Sequence, residues 1–90
     1  MADKDFRILC DVSDDIEGTK QEAIILPGIY KTYEEAKAAI HIAVIQKAAE
    51  FRSEGLFVTC EDIYTGEVHS TNGFGDYVSA VYYARRSYNI

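Results

Sequence analysis

The stretch that most restricts the fold is TYEEAKAAIHIAVIQKAAEFRSEG, residues 32–55. Thr32 and Glu35 form a capping box, in which the hydroxyl accepts from the Glu35 amide while the carboxylate reaches back. Arg52 followed by Gly55 is a stop signal, so the pattern predicts a helix over Tyr33–Ser53. A helix of that length runs about 31 Å and must bury a face. At 100° per residue, Tyr33, Ala36, Ile40, Ala43, Val44 and Phe51 form the expected core stripe. Ala38, Ile42, Ile45 and Ala49 form a second stripe on roughly the opposite side. Either the carboxy-terminal segment covers Ile42 and Ile45, or they form an oligomer interface, since compact apolar patches often mark contacts.

The remaining segments read as strands. Phe6, Ile8, Cys10 and Val12 alternate with Arg7, Leu9 and Asp11, a half-buried strand over residues 5–12. Residues 13–19 are polar and carry Gly18 near their end, a hairpin loop before a second strand over 20–26 that Pro27-Gly28 stops. A third strand is expected at 56–64 and a fourth at 67–71, joined through Thr65-Gly66. The segment DYVSAVYYARRSYNI fits two periods. As a helix, Asp76 caps it, and Arg85 and Arg86 meet the negative end of the dipole. As a strand, Val78, Ala80, Tyr82 and Ala84 face inward. The helix is the preferred reading. It gives an α+β fold in ββαββα order, an antiparallel four-stranded sheet packed against one long and one shorter helix. Residues 1–90 are expected to form a single domain.

Net charge is −6 and unevenly distributed. Residues 1–22 hold seven acids against Lys4, Arg7 and Lys20, a net −4. Residues 56–76 hold Glu61, Asp62, Glu67 and Asp76 with no lysine or arginine, again −4. Residues 31–55 balance four acids with four bases. This distribution repels phosphates and anionic membranes and suits a basic protein surface, although acidity also simply keeps a small protein in solution. The amino terminus shows no apolar run resembling a signal peptide, and Lys37, His41, Gln46 and Lys47 interrupt the long helix. With only Cys10 and Cys60, a reduced cytoplasmic protein is the expectation.

The acidic stretch CDVSDDIEGTKQE supports three readings. Counted from Asp11 as the first position of a twelve-residue calcium loop, Ser13, Asp15 and Glu22 fall third, fifth and twelfth. The sixth position, which requires glycine, is Ile16, and the flanks are strand-like, so a solvated hairpin is the simpler reading. General acid–base work would need a buried carboxyl, whereas Asp14, Asp15 and Glu17 lie in a polar loop. Cys10 and Cys60 have Asp11 and Glu61 beside them, which discourages a thiolate. Cys60 with His69 on the next strand is a candidate dyad or half of a metal site, with His41 as the further imidazole. Gly73-Phe74-Gly75 lacks the context of a phosphate loop and reads as a turn that offers Phe74 as an exposed anchor. The seven tyrosines divide between core and interface, and Tyr83 is counted with the contacts.

The leading expectation is therefore a non-enzymatic acidic protein-binding module using Asp14, Asp15, Glu17, Glu61, Asp62, Glu67, Phe74 and Tyr83, with no cofactor. Its sharper form is an inhibitor that occupies a basic nucleic-acid-binding surface of a partner protein. In size and acidity the chain resembles phage-encoded inhibitors of host defence, anti-CRISPR proteins included, although no residue motif carries that likeness. The alternatives are a homo-oligomeric enzyme or ligand-binding subunit with a pocket near Cys60 and His69, and a calcium-binding module through the Asp11–Glu22 loop.

Overall fold

The computed structural model describes residues 5–90; Asp3 and Lys4, counted in the charge map, lie outside them. The order is β1 (Phe6–Asp14), β2 (Thr19–Ile25), α1 (Tyr33–Ser53), β3 (Phe57–Asp62), β4 (Glu67–Thr71) and β5 (Tyr77–Arg86), then a 3-10 turn at Ser87–Asn89. The fold is α+β, with one five-stranded antiparallel sheet in the order β2-β1-β5-β4-β3 and α1 packed on one face.

The expected four-stranded sheet with a second helix is corrected here. The segment read as a helix is β5, the central strand, paired with β1 on one side and β4 on the other. Two hairpins, β1–β2 and β3–β4, each leave an inner edge with unpaired backbone groups. A ten-residue strand between them satisfies both edges, which a helix would leave open. Its Val and Tyr content and period-2 alternation suit that slot: Val78, Ala80 and Tyr82 are buried under α1 while Ser79, Val81 and Tyr83 take the other face. Arg85 and Arg86 therefore cap no helix. Arg85 stacks over Tyr83 at 5.4 Å and Arg86 over Phe6 at 4.7 Å.

α1 begins and ends as its sequence predicts. Thr32 Oγ1 accepts the Glu35 amide at 3.1 Å, and Glu35 reaches back to the Lys31 amide at 3.0 Å. At the other end Gly55, at φ +83°, donates to the Arg52 carbonyl and Leu56 to that of Phe51, a Schellman closure. Ala36, Ile40, Val44, Ala48 and Phe51 are the buried face. Tyr33, expected in that stripe, is half exposed and meets Phe6 edge-on at 5.9 Å instead. Ile40, Val44, Ala48 and Phe51 share one core cluster with Val68, Val78 and Ala80, where each large buried aliphatic side chain contributes about 2 kcal/mol and the small Ala48 lets the helix lie close. Ser70 is buried among them because its hydroxyl donates to the Val78 carbonyl at 2.8 Å.

Both outer strands carry an irregularity. The β1–β2 register shifts between Cys10 and Val12, and the β3–β4 register shifts between Val58 and Cys60. In β2 the bulge holds Ala23 at φ +55°, with its amide on the Asp11 carboxylate at 2.8 Å. Bulges twist an exposed edge and discourage further strand addition. No described helix is long and apolar enough to cross a membrane.

Candidate interaction site

The two acidic segments form the same kind of turn. In each, an aspartate closes β-structure, a four-residue loop follows, and the loop ends in glycine at positive φ: Asp14 to Gly18 (+70°) and Asp62 to Gly66 (+78°). Asp14 Oδ1 accepts the Glu17 amide at 3.0 Å. Asp62 Oδ1 accepts the amides of Thr65 and Tyr64 at 3.1 and 2.9 Å, which holds its carboxyl below the ordinary range.

Their surroundings differ. In the second segment Glu61 pairs with Arg52 at 2.9 Å, Glu67 lies 3.1 Å from His69 Nε2, and the Asp62 carboxylate stays within its own turn. Glu61, Asp62 and Glu67 are thus largely engaged internally, and they do not join Asp14, Asp15 and Glu17 in one patch. The sheet register shows why: Glu67 pairs with Val81, which pairs with Asp11, three residues along β1 from Asp14.

The first segment meets the β4–β5 turn instead. The Asp15 amide donates to the Tyr77 carbonyl at 2.9 Å, and the Tyr77 amide donates to Asp15 Oδ2 at 3.1 Å. This two-point clasp follows from the pairing of Asp14 with Val78 and brings the two loops side by side at one end of the sheet. The second loop is itself braced. Asn72 Oδ1 accepts the Phe74 amide at 2.7 Å, Asn72 Nδ2 donates to Asp76 at 3.0 Å, and Thr71 Oγ1 donates to the Asp76 carbonyl at 2.8 Å. Phe74 is thereby held outward, 89% exposed, on a fixed backbone. Phe57 lies beside Gly73 and is 64% exposed, and Tyr77 is 54% exposed. Three exposed aromatic side chains, Phe57, Phe74 and Tyr77, thus lie on the β4–β5 loop and the strand end beside it, next to the loop that carries Asp15, the exposed Ile16 and Glu17. The nearest lysine along the β1–β2 hairpin, Lys20, is held by Glu22 at 3.5 Å. Sequence reasoning named Phe74 and the Asp14–Glu17 acids but missed Phe57, Tyr77 and Asp76. Tyr77 carries a local signal, an aromatic residue two positions after Gly75, whereas Phe57 reaches this end only through its pairing with Thr71.

Tyr83 lies elsewhere, on the face of the sheet away from α1, beside Leu9. Its hydroxyl donates to Asp11 Oδ1 at 3.1 Å, and burial followed by that bond raises its pKa. Asp11 thus serves Ala23 and Tyr83 with one oxygen, while Asp14 and Asp15 bond backbone amides. No group of three or more metal-ligating side chains converges among the described residues.

Cys60 and His69 are cross-strand partners on the same open face, in a row with Ser79. His69 Nδ1 lies 2.7 Å from Ser79 Oγ, so Ser79, His69 and Glu67 form a hydrogen-bonded line. The more prominent clefts lie on the other side, between α1 and the β1–β2 half of the sheet. One of about 340 Å³ is lined by Cys10, Val12, Ala43, Lys47 and Tyr82, among others, and not by Cys60 or His69. Burial raises the pKa of both Cys10 and Tyr82, which keeps the thiol and phenol neutral at ordinary pH. Both cysteines are free. His41 meets the Tyr64 ring edge-on at 5.8 Å, and its Nε2 has no hydrogen-bond partner among the described residues.

No family model, curated protein or solved structure matches this chain.

Proposed function

We propose that the chain is a non-enzymatic protein-binding module whose contact surface is the end formed by the β1–β2 and β4–β5 loops. The observation that carries this reading is the clasp between Asp15 and Tyr77, which places a rigidly held, exposed Phe74 within a rim of carboxylates. An aromatic anchor surrounded by charge is the arrangement in which a few central residues supply most of the binding energy, while rim charges steer encounter and select the partner. The rim is negative, so the partner surface is basic with an apolar pocket at its centre. A basic protein surface built for phosphates offers such charge. The sharper form of the proposal is that the carboxylates of Asp14, Asp15, Glu17 and Asp76 take the place of phosphates there, competing with nucleic acid.

The cleanest test uses side chains with no structural duty. Glu17 and Phe74 are exposed, and neither side chain forms a hydrogen bond or ion pair with a described residue. Capture from the native host with the wild-type chain and with a Glu17→Lys/Phe74→Ala chain as parallel baits should retain the partner on the first only. Moderate salt should release it, because rim charges are screened. A partner held equally by both baits would remove this end of the molecule from the interface. A partner that still binds nucleic acid while captured would remove the phosphate-mimic form alone.

A further inference from the structure

The second stripe of α1 has no cover among the described residues. Ala38, Ile42, Ile45 and Ala49 are all exposed, with Ile42 at 57% and Ile45 at 52%, and the segment expected to cover them is the central strand beneath the opposite face of the helix. We propose that this stripe is the contact between two copies of the chain, joined by an antiparallel, two-fold pairing of their α1 helices.

The order of residues along the helix supports that occupant. The stripe reads the same from both ends about the midpoint between Ala43 and Val44: Ile42 and Ile45 flank it closely, and Ala38 and Ala49 flank it at equal distance. An isologous contact requires such a patch, because each residue must meet its mirror position on the second copy. Ile42 then packs against the copy's Ile45, while the two alanines let the helix backbones approach. The charges follow the same symmetry. The acids of the first turn, Glu34 and Glu35, come level with the copy's Arg52 in the last turn. Arg52 uses Nη2 for Glu61, and its remaining guanidinium donors are available to the copy's Glu34, which has no ion pair among the described residues.

Charge also favours a second copy over other occupants. Residues 31–55 are electrically balanced, whereas the segments on either side are each net −4. Two acidic molecules repel each other at their loop ends, and the helix is where they can meet without that cost. The contact is small. A helix about 31 Å long and about 10 Å wide offers about 300 Å² per copy, well under the roughly 800 Å² of a standard interface, so the dimer is a reversible one. This inference does not rest on the proposed partner surface, which lies at the loop end.

Sedimentation equilibrium from about 10 μM to about 1 mM should show the mass rising from monomer toward dimer. An Ile42→Asp/Ile45→Asp chain should keep the native circular dichroism spectrum and remain monomeric throughout. Register is read separately by cross-linking in a Cys60→Ser background, Cys10 being buried. In the antiparallel pair, position 38 of one copy is about 16 Å along the axis from position 38 of the other, beyond disulfide reach. Ala38→Cys alone and Ala49→Cys alone should therefore fail to cross-link, while their mixture should cross-link readily. A wild-type chain monomeric at every concentration, a dimer indifferent to the double Asp substitution, or a cross-link formed by either single variant would each overturn the proposal.

Discussion

The two acidic hairpins have nearly the same turn and equal local charge, yet the structure treats them differently. Gly18 and Gly66 both stand at positive φ as the last residue of a four-residue loop. Nothing lies within 4 Å of where a Cβ on Gly18 would be. A Cβ on Gly66 would drive into the Tyr82 carbonyl and crowd Ile40, and the Gly66 carbonyl itself accepts the Tyr82 amide at 2.8 Å. The β3–β4 turn is therefore clamped to the core, and its acids are engaged by Arg52, His69 and its own backbone. The β1–β2 turn makes no such close approach at its glycine: Asp14 and Asp15 bond backbone amides at their own end of the sheet, and the exposed Glu17 side chain bonds no described residue. Equal charge in the sequence does not mean equal availability, because packing decides which carboxylates are left for a partner.

The largest expected difference between the hairpins is the cost of a methyl group. Gly66→Ala combines a left-handed backbone with a collision against main chain and should destabilise by about 2–4 kcal/mol. Gly18→Ala meets only the backbone penalty, about 1 kcal/mol. Urea midpoints of the two variants measure both. Equal losses would mean that the clamp over Gly66 contributes nothing.

The next contrast is in binding. Loss of an aromatic anchor typically costs about 2 kcal/mol, about thirtyfold in affinity, so Phe74→Ala should weaken partner binding by that order. Glu61→Lys, in the clamped segment, reverses as much charge as Glu17→Lys but faces Arg52. It should slow association far less than Glu17→Lys does in a kinetic assay at low salt. The reverse ranking would move the contact to the other hairpin.

Much of this layout was legible in local sequence. Where the signal is a cap or a turn, the expectation held to the residue: α1 spans Tyr33–Ser53, and β4 spans Glu67–Thr71. The tail misled because Asp76, Tyr77 and Val81 satisfy a helix locally as well as a strand, and the deciding term is non-local. Two hairpins each lack a neighbour, and only the chain's third piece of β-structure can join them. The convergence of Asp15 with Tyr77 was hidden for the same reason, since it depends on the register of β5 against β1. The stripe of Ile42 and Ile45 was visible as a pattern, but whether anything inside the chain covers it depended on the fate of that tail.

Acid should also separate the hairpins. Asp62 has a depressed pKa because the amides of Thr65 and Tyr64 bond its charged form. The unfolded chain then binds a proton first as pH falls, so the stability from this group is present above about pH 4 and disappears as pH drops through the lower folded value. Asp62→Asn keeps an oxygen for the turn and should flatten that part of the acid profile in thermal melts. An unchanged profile would show that the two amide bonds do not favour the ionised form.

The smallest expected effect lies in β2, on the free hairpin. Ala23 holds φ +55° because the bulge directs its amide to Asp11, which in turn receives the Tyr83 hydroxyl. A left-handed alanine is strained by about 1 kcal/mol, partly offset in a glycine variant by the greater freedom of its unfolded chain. Ala23→Gly should therefore stabilise the protein by about 0.5 kcal/mol, seen as a small rise in urea midpoint with unchanged slope. The sign matters more than the size. A stabilised variant would mean that the strain at Ala23 is retained for the bulge that guards this edge, whereas a destabilised one would mean that the methyl group packs and the bulge is not strained.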